Sequence, residues 1–293
     1  MIIGSRGSAL ALWQARYVAA QLQKLGVAAR IEIIRTTGDR MQTETAAGTA
    51  GKGLFTKEIE EALLTGAIDV AVHSLKDLPT EMPEGLALAA VPEREDARDV
   101  LVGARLDGLK LGARVGTSSD RRAAQLRILR PDLSVEPIRG NVDTRLRKRT
   151  QGEFDGIVLA LAGLRRLGLE REAAEILNPE QMCPAPGQGA LGIETRSNDP
   201  AHEVCATLNH VESASAVACE RAVLAGLGGG CQLPLGAYAV ADGLVLRITA
   251  IVVARDGSRS IRAQAEGPID DPVGLGESVA EDLQVRGAAS LLS

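Results

Sequence analysis

The feature that most constrains the fold is the alternation of short apolar runs with segments of helical apolar spacing. The run "IDVAVHS" (68–74) and the run "GIVLALAG" (156–163) have the length of buried strands. The stretch "SALALWQARYVAAQLQKLG" (8–26) has apolar residues at helical spacing and ends at a glycine. Strand–helix alternation is typical of parallel sheets covered by helices, so an α/β fold is predicted.

The pattern changes after about Asn209. The runs "LVLRITAIVVA" and "RSIRAQAEG" read as strands, and the dipeptides Asp242-Gly243 and Asp256-Gly257 are typical of tight turns. A helix is predicted from about Pro272. This part reads as a small antiparallel α+β domain. A chain of 293 residues is long for one core, so two or three domains are expected.

The long segment "GDRMQTETAAGTAGKG" (38–53) has no apolar period. Loops of this length inside compact domains are uncommon and usually serve as lids or binding loops. A lid or binding loop is therefore predicted here, and a disordered surface insertion is the alternative.

Composition and charge exclude several classes of protein. The net charge of −5 disfavours nonspecific nucleic-acid binding. No apolar run approaches the roughly 18 residues of a membrane span, and the start of the chain lacks the pattern of an export signal, so a cytoplasmic protein is expected. The four cysteines show no CxxC spacing and the three histidines are scattered, which disfavours a zinc site.

Basic residues recur where the predicted strands end and helices begin. Because a cation at a helix N-terminus is unfavourable unless an anion binds there, this arrangement indicates a polyanionic ligand. Arginine matches carboxylates bidentately, and helix N-termini and hydroxyls add donors. No nucleotide-binding glycine motif is present, so a small molecule with several carboxylates is favoured. The basic residues are Arg6, Lys76, Arg121, Arg122, Arg139, Arg145 and Arg166, and the residues whose hydroxyls add donors are Ser8, Thr117, Ser118 and Ser119.

Two further sites allow more than one interpretation. Asp77 in "VHSLKDLP" allows two interpretations. It either forms an ion pair with the neighbouring lysine that stabilises a turn, or it lies in a cleft lined by these arginines and stabilises a developing cation. Cys231 in "GLGGGCQLPLG" lies either in a permissive turn or in a loop that exposes a reactive thiol. His73 is expected to be a packed core histidine. The segment "CPAPGQGALGIE" (183–194) is expected to cross between domains.

A set of motifs in order across nearly the whole chain resembles the porphobilinogen deaminase (hydroxymethylbilane synthase) family. These motifs include "GSRGSALALWQA", "GKGLFTKEIEEALL", "DVAVHSLKDLPTEMPEGL", "EREDARDV", "VGTSSDRRAAQL", "IRGNVDTRL", "LALAGLRRLGL", "APGQGALGIE" and "GGGCQLPLGAYA". The resemblance implies three α/β domains, of which the first two resemble the lobes of type II periplasmic binding proteins. Domain 1 is placed at 1–92 and 188–208, domain 2 at 93–187, and domain 3, with an antiparallel sheet and the cofactor cysteine, at 209–293.

The resemblance also implies an activity and a cofactor. Four porphobilinogen molecules would be joined head to tail with loss of ammonia, and hydroxymethylbilane would be released by hydrolysis, in tetrapyrrole biosynthesis. A dipyrromethane cofactor would be held by a thioether to Cys231, and Asp77 would be the catalytic residue. A monomer without nucleic-acid or membrane partners is expected, and no metal.

The resemblance assigns further residues to the carboxylates of the cofactor, substrate or growing chain. These residues are Arg6, Ser8, Lys52, Ser74, Lys76, Thr117, Ser119, Arg121, Arg122, Arg139, Arg145 and Arg166, with Gln188 and Gly189 near the cofactor. Phe55 follows the predicted loop. The family often has a second lysine shortly before Lys52, where this chain has "AAGTAG", and Gly7 replaces a larger polar residue.

Two alternatives belong to other functional classes. A non-catalytic bilobal protein that binds polycarboxylates would have the same fold and arginines, but Cys231 and Asp77 would be dispensable. A hydrolase with Cys231 as nucleophile would need a histidine base, and no histidine lies in a recognisable catalytic motif.

Overall fold

The computed structural model describes residues 1–37, 56–229 and 233–292. The chain forms two compact units. Unit 1 comprises residues 1–94 and 190–214, and unit 2 comprises residues 95–189 together with residues from 215 onward. The boundary at 189/190 falls inside the segment expected to cross between domains. The finer division into three domains stays a prediction.

The described residues form the following elements. The strands are β1 (Ile2–Ser5), β2 (Arg30–Ile33), β3 (Val70–Ser74), β4 (Leu86–Ala90), β5 (Asp99–Val102), β6 (Arg114–Gly116), β7 (Ser134–Glu136), β8 (Gly156–Ala160), β9 (Ala173–Ile176), β10 (Leu191–Arg196), β11 (Leu235–Asp242), β12 (Val245–Val253) and β13 (Ser260–Pro268). The helices are α1 (Ala9–Lys24), α2 (Lys57–Leu64), α3 (Asp120–Leu129), α4 (Val142–Thr150), α5 (Leu161–Arg166), α6 (Pro200–Ala206), α7 (Val211–Gly226), α8 (Pro272–Val285) and α9 (Ala289–Leu292).

Unit 1 is built on a mixed sheet with the strand order β2-β1-β3-β10-β4. β1 runs parallel to β2 and β3, whereas β10 runs antiparallel to β3 and β4. Helix α1 covers one face through Ala15, Val18 and Leu22, which recur at helical spacing and pack in one cluster with Ile3 and Val70. The carboxyl ends of β1 and β3 therefore lie side by side next to the start of α1.

The ends of α1 follow from its sequence. The Ser8 side chain accepts a hydrogen bond from the amide of Ala11 at 3.3 Å and so caps the helix. The chain leaves the helix through Gly26, whose φ of +79° is the left-handed conformation that glycine tolerates. Both ends agree with the segment predicted from sequence.

Unit 2 contains a second mixed sheet with the strand order β7-β6-β8-β5-β9. β6 is parallel to β7 and β8, and β5 is antiparallel to β8 and β9. Helices α3, α4 and α5 follow β6, β7 and β8, as the alternating pattern predicts. The same unit contains an antiparallel sheet, β11-β12-β13, whose core includes Leu246, Ile248 and residues of α8 such as Val279 and Leu283.

The predicted α/β class and the separate antiparallel sheet are confirmed, and the two larger sheets, predicted as parallel, are mixed. Each larger sheet contains one strand, β5 or β10, that runs antiparallel to its neighbours. These two strands directly follow the places where the chain passes from one unit to the other, at 94/95 and 189/190. Strands joined by a helical crossover are parallel, whereas a strand that enters from another unit is free of that constraint.

Candidate active site

A pocket of about 100 Å³ lies at the carboxyl ends of β1 and β3 in unit 1. Its polar lining residues are Arg6, Ser8, Gln14, Thr56, His73, Ser74 and Asp77. Four residues singled out in the sequence, Arg6, Ser8, Ser74 and Asp77, thus line one pocket.

A short 3-10 turn places Asp77 at this pocket. The turn Leu75–Asp77 follows β3 directly, and the fully buried Leu75 side chain anchors it. The amide of Leu75 donates to the carbonyl of Ala190 at 3.1 Å, and the amide of Leu78 donates back to Leu75 at 3.2 Å. Asp77 itself is exposed, so its carboxylate is accessible to a ligand. Lys76 lies in the same turn and is half-buried.

The start of α1 also lines the pocket. Arg6 and Ser8 lie between the end of β1 and the helix, where the N-terminal amides carry partial positive charge. Gln14 Nε2 donates to Ser74 Oγ at 2.8 Å, which ties α1 to the end of β3. The pocket therefore combines a guanidinium and helix amides, which suit a carboxylate, with one carboxylate that suits an N–H or a cation.

His73, which lines the same pocket, pairs with a buried glutamate. His73 Nε2 is 2.8 Å from Glu194 Oε2, and the side chains are 6% and 0% exposed. His73 is packed, as expected from the sequence. The neighbouring Glu60 on α2 is half-buried, and burial raises its pKa despite a hydrogen bond with Thr56.

In unit 2 the strongest ionic cluster surrounds Asp99, a residue that the sequence did not single out. Arg121 Nη1 donates to Asp99 Oδ2 at 2.7 Å, and Arg122 donates to Oδ1 from Nε and Nη2 at 2.9 and 2.7 Å. Gln188 Nε2 also donates to Oδ1, at 2.8 Å. All four side chains are buried.

The Asp99 cluster explains why two arginines stand at the N-terminus of α3. Cations at a helix N-terminus are unfavourable without a nearby anion, and the protein supplies its own carboxylate from the first residue of β5. Burial alone would raise the pKa of Asp99, but the two guanidiniums lower it far below its usual range. One carboxylate faces two cations, so the cluster keeps a net positive charge. Arg121 Nε is buried with no hydrogen-bond partner within the part of the chain that the structure describes.

The remaining predicted residues of unit 2 have different surroundings. Arg166 is buried and donates to the carbonyl of Gly189 at 2.6 Å. It is the last residue of α5 rather than lying at the start of the helix, because the strand ends at Ala160 and the helix begins at Leu161, within the run 156–163 predicted as a strand. Arg145, in the first turn of α4, donates to the carbonyl of Gly140 at 2.7 Å, and Arg139 is exposed.

Two predicted hydroxyl donors act within the loop before α3. Ser119 caps α3 by accepting from the amide of Arg122 at 3.4 Å. Thr117 is buried and accepts from the amide of Ser119 at 3.2 Å. Lys52, Phe55 and Cys231 lie outside the described residues.

Two searches of the described chain concern other kinds of site. Among residues 1–37, 56–229 and 233–292, no group of three or more histidine, cysteine, aspartate or glutamate side chains is arranged to hold a metal ion. In the same ranges no helix is long and apolar enough to cross a membrane.

Asp99 and Glu194 were both missed in the sequence. Each is a carboxylate inside an apolar strand, "DVLV" and "LGIETR". A charge in a buried strand is rare unless it is paired, and this signal could have marked both residues.

Comparison with known proteins covers nearly the whole chain. Residues 1–203 match the family model described as porphobilinogen deaminase, dipyromethane cofactor binding domain, and residues 214–284 match the porphobilinogen deaminase C-terminal domain. The porphobilinogen deaminase of Pelobacter propionicus is 49% identical over 99% of this chain and 95% of its own length. That of Thermus thermophilus is 48% identical over 100% of this chain and 98% of its own length.

Solved structures show more distant similarities. A periplasmic substrate-binding protein of an ABC transporter from Coxiella burnetii aligns with a TM-score of 0.43 and 16% identity, over 75% of this chain and 96% of its own. An ancestral cationic amino acid solute-binding protein aligns with a TM-score of 0.43 and 14% identity, over 71% of this chain and 87% of its own.

Proposed function

The chain belongs to the porphobilinogen deaminase family, and on that premise we propose that it joins four porphobilinogen molecules head to tail and releases hydroxymethylbilane. Each addition breaks the bond between the substrate's methylene carbon and its ammonium nitrogen. The electron pair leaves with the nitrogen as ammonia. The positive charge that remains spreads over the methylene and the pyrrole ring, and it requires stabilisation by the enzyme.

The observation that carries this proposal is that Asp77 and Arg6 line the same pocket, together with the start of α1. A porphobilinogen molecule offers two carboxylates and one pyrrole N–H. Arg6 and the N-terminus of α1 suit a carboxylate, and Asp77 suits the N–H and the developing cation. A fixed carboxylate beside developing positive charge stabilises the transition state more than the ground state, which is the condition for catalysis.

The donor groups of unit 2 fit the carboxylates of a dipyrromethane cofactor. The Asp99 cluster keeps a net positive charge, and the buried Arg121 Nε has an unused N–H within the described chain. We infer that Arg121, Arg122, Arg139, Arg145 and Arg166 supply cations for those carboxylates. When bound through Cys231, the cofactor supplies the primer on which the chain grows.

The test is a turnover assay on the purified protein with porphobilinogen. The expected result is one ammonia released for each porphobilinogen consumed, with hydroxymethylbilane as product. The matched control is Asp77→Asn, which should bind the substrate but release ammonia far more slowly. Binding of porphobilinogen without ammonia release by the unaltered protein would instead support the non-catalytic polycarboxylate-binding alternative.

We also propose that the protein works as a cytoplasmic monomer. The expectation of a monomer is tested by light scattering on the purified chain. A mass close to 30.6 kDa plus any covalent cofactor supports it, and a multiple of that mass contradicts it.

A further inference from the structure

One residue that lines the Asp77 pocket, His73, belongs to a buried histidine–carboxylate pair. His73 lies near the end of β3, lines the pocket, and is 7% exposed. Glu194 lies on the adjacent antiparallel strand β10, where its register partner is Ala71. Because Ala71 and His73 are two residues apart on one strand, their side chains share a face of the sheet. This places Glu194 on the same face as His73, with 2.8 Å between Oε2 and Nε2.

A carboxylate at the Glu194 position is costly. Its side chain is fully buried, and its second oxygen, Oε1, has no hydrogen-bond partner among the residues described. A buried charge that is incompletely hydrogen-bonded costs folding free energy, and an apolar side chain would fill the same strand position without that cost. The position therefore calls for a role that an apolar side chain could not perform.

The pair sets the chemistry of the imidazole. With Glu194 ionised, Nε2–H donates to the carboxylate, so a neutral His73 carries its lone pair on Nδ1. Within the described chain no residue is hydrogen-bonded to Nδ1. In other enzymes, a histidine that acts as a base is likewise held in one orientation and one tautomer by a hydrogen-bonded carboxylate.

We propose that His73, positioned by Glu194, accepts the proton released at each condensation. This inference rests on the proposed function. The new carbon–carbon bond replaces a C–H bond on the accepting ring of the growing chain, the C–H electron pair returns to that ring, and the proton passes to Nδ1 of His73. The imidazolium then gives the proton to released ammonia or to water. Asp77 stabilises the developing cation and does not accept the proton, because protonation would remove the negative charge on which that stabilisation depends.

Other charges face the pair and set its response to pH. Glu60 on α2 interacts electrostatically with both His73 and Glu194, and Asp77 and Arg6 line the same pocket. Replacing Glu194 by glutamine keeps the size and a hydrogen-bonding group, but an amide can either donate to Nε2 or accept from it, so the tautomer of the ring is no longer fixed.

The first experiment compares pH profiles of kcat/KM for porphobilinogen in holoenzymes carrying Glu194→Gln or His73→Gln. Glu194→Gln should lower kcat with little change in KM, because the amide no longer fixes the tautomer of the His73 imidazole. His73→Gln should lower kcat by about 10²-fold or more and remove the acid limb of the profile. The matched control is His202→Gln. His202 Nδ1 is 3.0 Å from Oγ1 of Thr195, the residue after Glu194 on β10, but His202 does not line the pocket. This control should keep the unaltered profile.

The second experiment does not depend on the folding of the Glu194 variant. The chain has three histidines, so their imidazole NMR signals can be resolved in the unaltered holoenzyme, and the His73 signal is identified by its loss in His73→Gln. Its titration midpoint should coincide with the acid limb of kcat/KM.

Two results would overturn the proton-acceptor role. One is a midpoint more than one unit from the limb, and the other is a His73→Gln enzyme with an unmoved profile. Failure of the unaltered enzyme to consume porphobilinogen would instead refute the proposed function.

Discussion

Asp99 accepts hydrogen bonds from both Nε and Nη2 of Arg122, at 2.9 and 2.7 Å, in the interior of unit 2. The second oxygen of the same carboxylate accepts from Arg121. The first residue of β5 thereby holds the two arginines at the start of α3 in place. Two cations expected to meet a ligand are thus already positioned and half-neutralised by the protein itself.

Replacing Asp99 by asparagine should destabilise the protein. Two buried guanidiniums would lose their counter-charge, and breaking a buried pair in this way typically costs about 3–5 kcal/mol in the free energy of unfolding. Urea denaturation followed by circular dichroism measures the change. Asp132→Asn is the control, because Asp132 pairs with Arg130 at the surface, and this variant should change the midpoint much less. An unchanged urea midpoint for Asp99→Asn would contradict the claim that Asp99 supplies the counter-charge for the two buried guanidiniums.

The same variant should show a distinctive pH dependence. The folded-state pKa of Asp99 is lowered, because the two guanidiniums outweigh burial, so its contribution to stability is present above the ordinary pKa of about 3.9 and is lost as pH falls below it. The difference in unfolding free energy between the unaltered protein and Asp99→Asn should be constant near neutral pH and shrink below about pH 4. A difference that grows on acidification would contradict this account.

Replacing Asp77 by asparagine should abolish most turnover without affecting the fold. The side chain is exposed, so little packing is lost, but loss of a charge that stabilises a developing cation costs about 10²- to 10³-fold in kcat. Glu81→Gln is the matched control, because Glu81 is an exposed carboxylate four residues further on and does not line the pocket. Ammonia release and the melting temperature should be measured for both variants. Equal rates for the two variants would remove Asp77 from the mechanism.

The local features of the fold could be predicted from the sequence, and the long-range pairings could not. The limits of α1 follow from Ser8 and Gly26, and the predicted turn after Asp242 is present, with Gly243 and Leu244 joining β11 to β12. The pairing of Asp99 with Arg121 joins positions 22 residues apart on different elements, and that of His73 with Glu194 joins positions 121 residues apart. Such partners are fixed by tertiary packing, and a single sequence carries no periodic signal for them.

Replacing Gly189 by alanine should cost more than replacing an open glycine. Gly189 has a φ of +86°, and a Cβ added there would clash with the Glu95 carbonyl oxygen. Gly26 has a φ of +79° with no atom within 4 Å of an added Cβ, so Gly26→Ala is the control. The control should lose about 1–2 kcal/mol of unfolding free energy from backbone strain alone. Gly189→Ala should lose a further 1–3 kcal/mol, roughly, from overpacking, and equal losses would contradict the close approach.

Three cysteines should be unreactive in the native protein. Burial raises the pKa of Cys183 to about 12, of Cys205 to about 11 and of Cys219 to about 12, so few thiolates form near neutral pH. Iodoacetamide at pH 8 followed by peptide mass mapping should find these residues unlabelled until denaturant is added. Labelling of any of the three at the denatured rate would contradict the buried environment.

The most direct test of the central claim is the intact mass of the purified protein, with peptide mapping around Cys231. The account predicts an excess equal to two porphobilinogen units minus two ammonia, located on Cys231 and missing from Cys231→Ser. An unmodified chain should acquire this excess on incubation with porphobilinogen. A chain that gains no pyrrole units under those conditions, or carries them on another residue, would contradict the account.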